Sequence, residues 1–176
     1  MTRKKALLIG FFFTVIVGTL MHFIYHWTGC SVVVGMFAPV NESVWEHLKM
    51  LAIPMLIFGI YEKLTYAKVL SNFWPVRLMS ILLGMAILVG GYYLWTAIAG
   101  EDNLAADIVD FIVGIGAAYL FSGELLQTEH FSSKFAQNLA SVGIAVLFAA
   151  LFLLTWFPPH CPLFLDPPTG GYGPVK

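Results

Sequence analysis

The stretch Pro39–Lys49 reads P-V-N-E-S-V-W-E-H-L-K and sets Asn41, Glu42, Glu46 and His47 beside long apolar runs. Imidazoles and carboxylates are the side chains that hold metals and move protons near neutral pH. Ionisable groups at membrane depth are costly, which makes them functional candidates. Upstream, His22 and His26 stand four residues apart and share one face of a helix, the spacing by which two imidazoles reach one metal. Downstream, Asp107 and Asp110 are three apart and also share a face. Histidines with one carboxylate and an open position make a catalytic zinc arrangement, and a further carboxylate then serves as general base on the activated water. This reading makes His22, His26, His47 and Asp110 the candidate ligands of zinc or another divalent metal. Glu46 or Glu42 is the candidate base. The plain alternative is structural: acids in the first turn of a helix serve its dipole, and a His/Asp cluster can clamp helices together without a metal.

The elements that must position these residues are transmembrane helices. The chain has 176 residues, 59% hydrophobic and 11% charged, with net charge −1. Soluble domains carry about 25% charged residues, so this chain is read as an integral membrane protein with the lipid bilayer as its partner. The charge balance gives no reason to expect nucleic acid. Two cysteines exclude a disulfide-rich scaffold and a CxxC-type site.

Apolar runs long enough to span, roughly 20 residues each, predict five helices at about 6–27, 42–66, 75–99, 104–125 and 138–157. Together they form a transmembrane domain over 1–157. The first run is too long for a secretory h-region and has no A-x-A-like site after it. Asn41 is the expected N-cap of the second helix, with Ser43 and Glu46 spaced as a capping box. Pro54 predicts a kink near Met50. The connector 29–40 stays apolar and is expected in the interface or folded back on the bundle. Residues 158–176 hold six of the nine prolines and form a non-helical tail.

Arg3, Lys4, Lys5, Lys63, Lys68, Arg77 and Lys134 all fall in the N-terminus or the loops on its side. The positive-inside rule therefore predicts a cytoplasmic N-terminus and an extracytoplasmic tail in the plasma membrane. That topology sends His22, His26, His47, Glu42, Glu46, Asp107 and Asp110 to the outer half. The tail, with Leu163, Phe164 and Leu165, is too apolar for a free linker. It is expected to pack on the outer mouth and bring His160 or Asp166 to the site. Cys30 and Cys161 would then share an oxidising compartment, as a disulfide or as two free thiols.

The motifs F-A-P-V-N-E-S-V-W-E-H-L-K (Phe37–Lys49) and F-P-P-H-C-P-L-F-L-D-P-P-T-G-G-Y-G (Phe157–Gly173) resemble an uncharacterised family of small multi-pass bacterial membrane proteins, a domain of unknown function. The resemblance covers most of the chain. It implies a multi-pass bacterial membrane protein and carries no activity.

The functional expectation is a metal-dependent hydrolase acting on a lipid or a membrane-proximal amide. The alternatives are a proton- or cation-coupled transport protein and a non-catalytic subunit whose cluster clamps helices. GxSxG, HExxH and P-loop motifs do not occur in the sequence, so serine-hydrolase, zincin and nucleotide-driven classes lack support.

Overall fold

The computed structural model describes residues 3–174, so Val175 and Lys176 of the tail and the first two residues lie outside the described residues. The chain is all-helical apart from its last segment. The helices are α1 (Arg3–Trp27), α2 (Val32–Gly35), α3 (Val44–Thr65), α4 (Phe73–Ala99), α5 (Leu104–Leu125) and α6 (Lys134–Trp156). All but α2 are long and apolar enough to cross a membrane. A 3-10 turn (Pro162–Phe164) then leads into β1 (Leu165–Asp166), which pairs antiparallel with β2 (Gly171–Tyr172).

α3 is the central helix. Its most apolar window is 67% buried, against 22% for each of the other four spans. It packs on α1 and α4, while α5 lies on α1 and α4 and α6 lies against α4. Leu51, Met55, Ile81 and Ile115 are fully buried where α3, α4 and α5 meet. Because lipid is as apolar as leucine, close backbone approach rather than hydrophobicity holds such helices together. Gly84 of α4 and Gly114 of α5 face each other, each within van der Waals reach of the other's carbonyl oxygen. Gly18 of α1 lies directly against the Met50 carbonyl of α3. That carbonyl is the one Pro54, lacking an N–H, cannot satisfy. The helix itself continues through Pro54 from Val44 to Thr65.

The helix ends have local causes. Ser43 caps α3 by accepting from Glu46 N–H, Asn103 caps α5 by accepting from Ala105 and Ala106, and Ser133 caps α6 by accepting from Ala136. The Ser133 cap starts α6 at Lys134, four residues before the sequence expectation. Gly100, at φ 78°, closes α4 in the left-handed conformation that favours glycine.

Leu7 meets Gly123, and Asn72 donates to the carbonyls of Leu125 and Thr128. The start of α1 and the α3–α4 and α5–α6 links therefore share one end of the bundle. His22, the approach to α3, the α4–α5 link and the Pro-rich tail share the other.

Asn41 does not cap α3. Its side-chain oxygen accepts from Ser43 N–H, and its amide donates to the Gly173 carbonyl, tying the tail to the approach of α3. Asp166, buried in the tail, accepts from Glu42 N–H at 2.9 Å and from Thr169 Oγ1. Phe164 packs its ring on Trp45 at 4.7 Å. Cys30 and Cys161 are both free thiols, so the alternative of a disulfide gives way to two separate cysteines.

Candidate metal centre

His22 reaches inward from α1 and His47 from the first turn of α3. Glu42 comes from the two-residue step just before that helix begins. His22 Nε2 lies 3.6 Å from Glu42 Oε1, and His47 Nε2 lies 3.5 Å from Glu42 Oε2. The two imidazoles stack with ring centroids 5.4 Å apart. One ligand atom from each of the three residues lies within 4.8 Å of the others. The N···O separations exceed the ~2.7–3.2 Å of a good hydrogen bond. They match the roughly 3.4 Å between neighbouring ligands on a tetrahedral ion bound at about 2.1 Å.

The hydrogen bonding fixes one tautomer. His47 Nδ1 is 2.9 Å from the Ser43 carbonyl, which can only accept. Nδ1 therefore carries the proton, and Nε2 faces Glu42. A metal-ligating histidine usually has its other ring nitrogen anchored in this way. The His47 imidazole beside it holds the Glu42 carboxyl below its ordinary range, against the opposing effect of burial, and the charges of His22 and His26 add to that. An ionised Glu42 between two ring nitrogens calls for positive charge in the gap, as protons or as a cation. On the other ring, His22 Nδ1 is buried without a hydrogen-bond partner.

The group sits in the wall of a cavity of about 660 Å³ bounded by α1, α3, α4, α5 and the tail prolines Pro167 and Pro168. Ligand sites typically occupy about 300–1,000 Å³. Val15, Met50, Leu88, Phe111 and Ile112 give it an apolar lining, and Tyr92, Asp102, Asp107 and Asp110 add polar groups to it. The Asp110 carboxylate rests directly on Gly91 of α4, where any side chain would displace it.

The structure brings together only part of the set read from the sequence. His22 and His47 meet, and Glu42 completes their group. His26 is exposed one turn further along α1, with its Nδ1 3.9 Å from Cys30 Sγ, and does not join them. The spacing of His22 and His26 does put both on one face. The approach to α3, however, folds back against α1 at the level of His22 and supplies the carboxylate there. Asp107 and Asp110 line the cavity outside the three-residue group. His160 is exposed and stacks on Tyr172 at 4.5 Å. Asn41 and Asp166 act on the chain around Glu42 through the hydrogen bonds already described.

Glu46 points elsewhere. It is buried, 2.7 Å from Lys49 Nζ, and also accepts from Val40 N–H and Thr155 Oγ1. Lys49 in turn donates to the carbonyls of Gly35 and Ala38, which pins the connector over α3. A second buried pair, Arg77 with Glu62, lies toward the opposite end, with Tyr66 donating to the same carboxylate. The sequence reading assigned neither pair. The available signals were the i, i+3 spacing of Glu46 and Lys49 and a lone arginine inside an apolar run.

Residues 1–174 match the profile of DUF6512, a family of unknown function. No curated protein and no solved structure matches the chain.

Proposed function

The chain belongs to this family of unknown function, which assigns no reaction, and we propose from the site's geometry that it is a metal-dependent membrane hydrolase. His22, Glu42 and His47 hold the ion, zinc before other divalent metals given two imidazoles and one carboxylate. The observation that carries this reading is the placement of three ligand atoms within 4.8 Å of one another, one of the rings being anchored through its far nitrogen. The scissile bond is an ester or amide of a lipid or of a membrane-proximal peptide.

The bundle is oriented with its N-terminus in the cytoplasm and the cavity at the outer leaflet of the plasma membrane. Support comes from Lys4, Lys5, Lys63, Lys68 and Lys134, which belong to the end opposite His22.

A divalent ion here supplies Lewis-acid activation of water and of the acyl oxygen. Hydrolysis needs nothing else but water. Its oxygen bonds to the acyl carbon, the C–O or C–N bond breaks, and its proton passes to the departing oxygen or nitrogen. Asp107 and Asp110, which line the same cavity, are the carboxylates that would take and return that proton. Glu46 has no part in this scheme, being committed to Lys49.

The transport alternative is weaker. The buried Thr14–Tyr119 hydroxyl pair, 2.9 Å apart and beside Arg77, reaches part of the way, but the fully buried and apolar Leu51, Met55, Ile81 and Ile115 pack between the cavity and the Glu62–Arg77 pair. The clamp alternative needs protons on the imidazoles in place of a metal, and it predicts no turnover.

The test is chelator stripping followed by add-back of zinc, manganese or iron(II) to the purified full chain. Release of fatty acid or amine from bilayer lipids and acylated peptides is followed by mass spectrometry. Turnover that is lost on stripping, restored by one metal, and not restored in Glu42→Gln supports the reading. Turnover indifferent to stripping contradicts it.

A further inference from the structure

α1 and α5 run antiparallel and touch through small residues: Leu7 lies against Gly123, Tyr119 against Gly10 and Phe111 against Gly18. Extended by one turn, this register sets His22 level with Asp107. At that level residues of both helices, His22 and Phe23 on α1 and Asp107 and Ile108 on α5, line the cavity. Phe23 on α1 and Ile108 and Ile112 on α5 line the cavity and yet are 47%, 51% and 41% exposed. Each therefore borders both the cavity and the outer surface, so the α1–α5 boundary is where the cavity comes near the outside, and its flanks continue into the exposed apolar faces of Ile16 and Leu20 on one helix and Val109 and Val113 on the other. In a bilayer those faces lie against acyl chains.

Resting on the metal reading above, we propose that the substrate is a bilayer lipid whose acyl chain enters sideways between α1 and α5, and whose head group carries no net negative charge. The chain lies along Val15, Met50 and Leu88, and its acyl carbonyl reaches His22, Glu42 and His47. The charge preference follows from the lining. Beyond Glu42, whose charge the bound ion would offset, Asp102, Asp107 and Asp110 bring three carboxyl groups to the cavity, and among the described residues no lysine or arginine lines it. An anionic head would meet like charge at short range in a poorly screened site, which disfavours it strongly.

The experiment uses the zinc-loaded full chain in bilayer discs of neutral phosphatidylcholine or anionic phosphatidylglycerol. Retained lipid is counted by native mass spectrometry, and zinc content is measured on the same samples. Ile112→Trp adds bulk at the α1–α5 boundary, and Val146→Trp places the same bulk on an exposed face of α6 as control. The expected result is several-fold more phosphatidylcholine than phosphatidylglycerol on the wild type. Ile112→Trp should retain several-fold less lipid with zinc unchanged, and Val146→Trp should behave as wild type. Equal retention of both lipids, or equal retention in Ile112→Trp, overturns the proposal. So does cleavage of a water-soluble acylated peptide by the wild type alongside no cleavage of either lipid. Selective lipid retention in a protein that takes up no zinc would instead sink the metal reading and leave the lipid site standing.

Discussion

Replacing Glu46 by glutamine removes the charge that balances Lys49 while keeping the side chain's shape. Both residues are buried, 2.7 Å apart, and Lys49 is left with the carbonyls of Gly35 and Ala38. Breaking one partner of a buried ion pair costs about 3–5 kcal/mol, because the other charge stays buried and uncompensated. At about 2–4 °C per kcal/mol for a chain of this length, the midpoint falls by roughly 6–20 °C. Thermal unfolding in mild detergent, followed by tryptophan fluorescence, reads it. The double variant Glu46→Gln, Lys49→Met removes both charges and should recover most of the loss. Bound zinc per folded molecule should not change in either variant. A Glu46→Gln protein that melts with the wild type but has lost turnover would refute this reasoning. It would return Glu46 to the role of general base, as the sequence alone suggested.

Asp166→Ala removes the acceptor that holds Glu42 N–H and should weaken zinc binding about 10–100-fold in a chelator competition. Asp166→Asn, which keeps an acceptor oxygen, should weaken it less. Gly18→Ala drives a methyl into the Met50 carbonyl, a backbone atom that cannot step aside, and should cost about 1–3 kcal/mol in the same melts. Gly91→Ala displaces the Asp110 carboxylate and should lower turnover with zinc content unchanged. Glu62→Gln strands the buried Arg77 and should destabilise by about 3–5 kcal/mol without altering bound zinc.

The five long apolar helices were legible because apolar length alone marks them, and all five candidate spans of the structure overlap the five runs read from the sequence. Helix starts were less so. Asn41 has a capping residue's chemistry but spends it on Gly173, which lies 132 residues away along the chain. The candidate site divides on the same line. His22 and His47 stood out as imidazoles in apolar surroundings. Their grouping with Glu42 depends on a connector folded back by Lys49 and on Asp166 holding the Glu42 amide from 124 residues away. Neither contact has a local sequence pattern. Spacing pointed to His26 instead, because periodicity reports which residues share a face and not what packs against it.

Elemental analysis of the purified full chain after zinc equilibration tests the metal centre most directly, with wild type, His22→Ala/His47→Ala and His26→Ala run side by side. The account predicts near-stoichiometric zinc in the wild type and in His26→Ala. It predicts loss of zinc in the double variant, with the helical circular dichroism of all three unchanged. No zinc in any of them, or zinc lost on removing His26 and kept without His22 and His47, would contradict it.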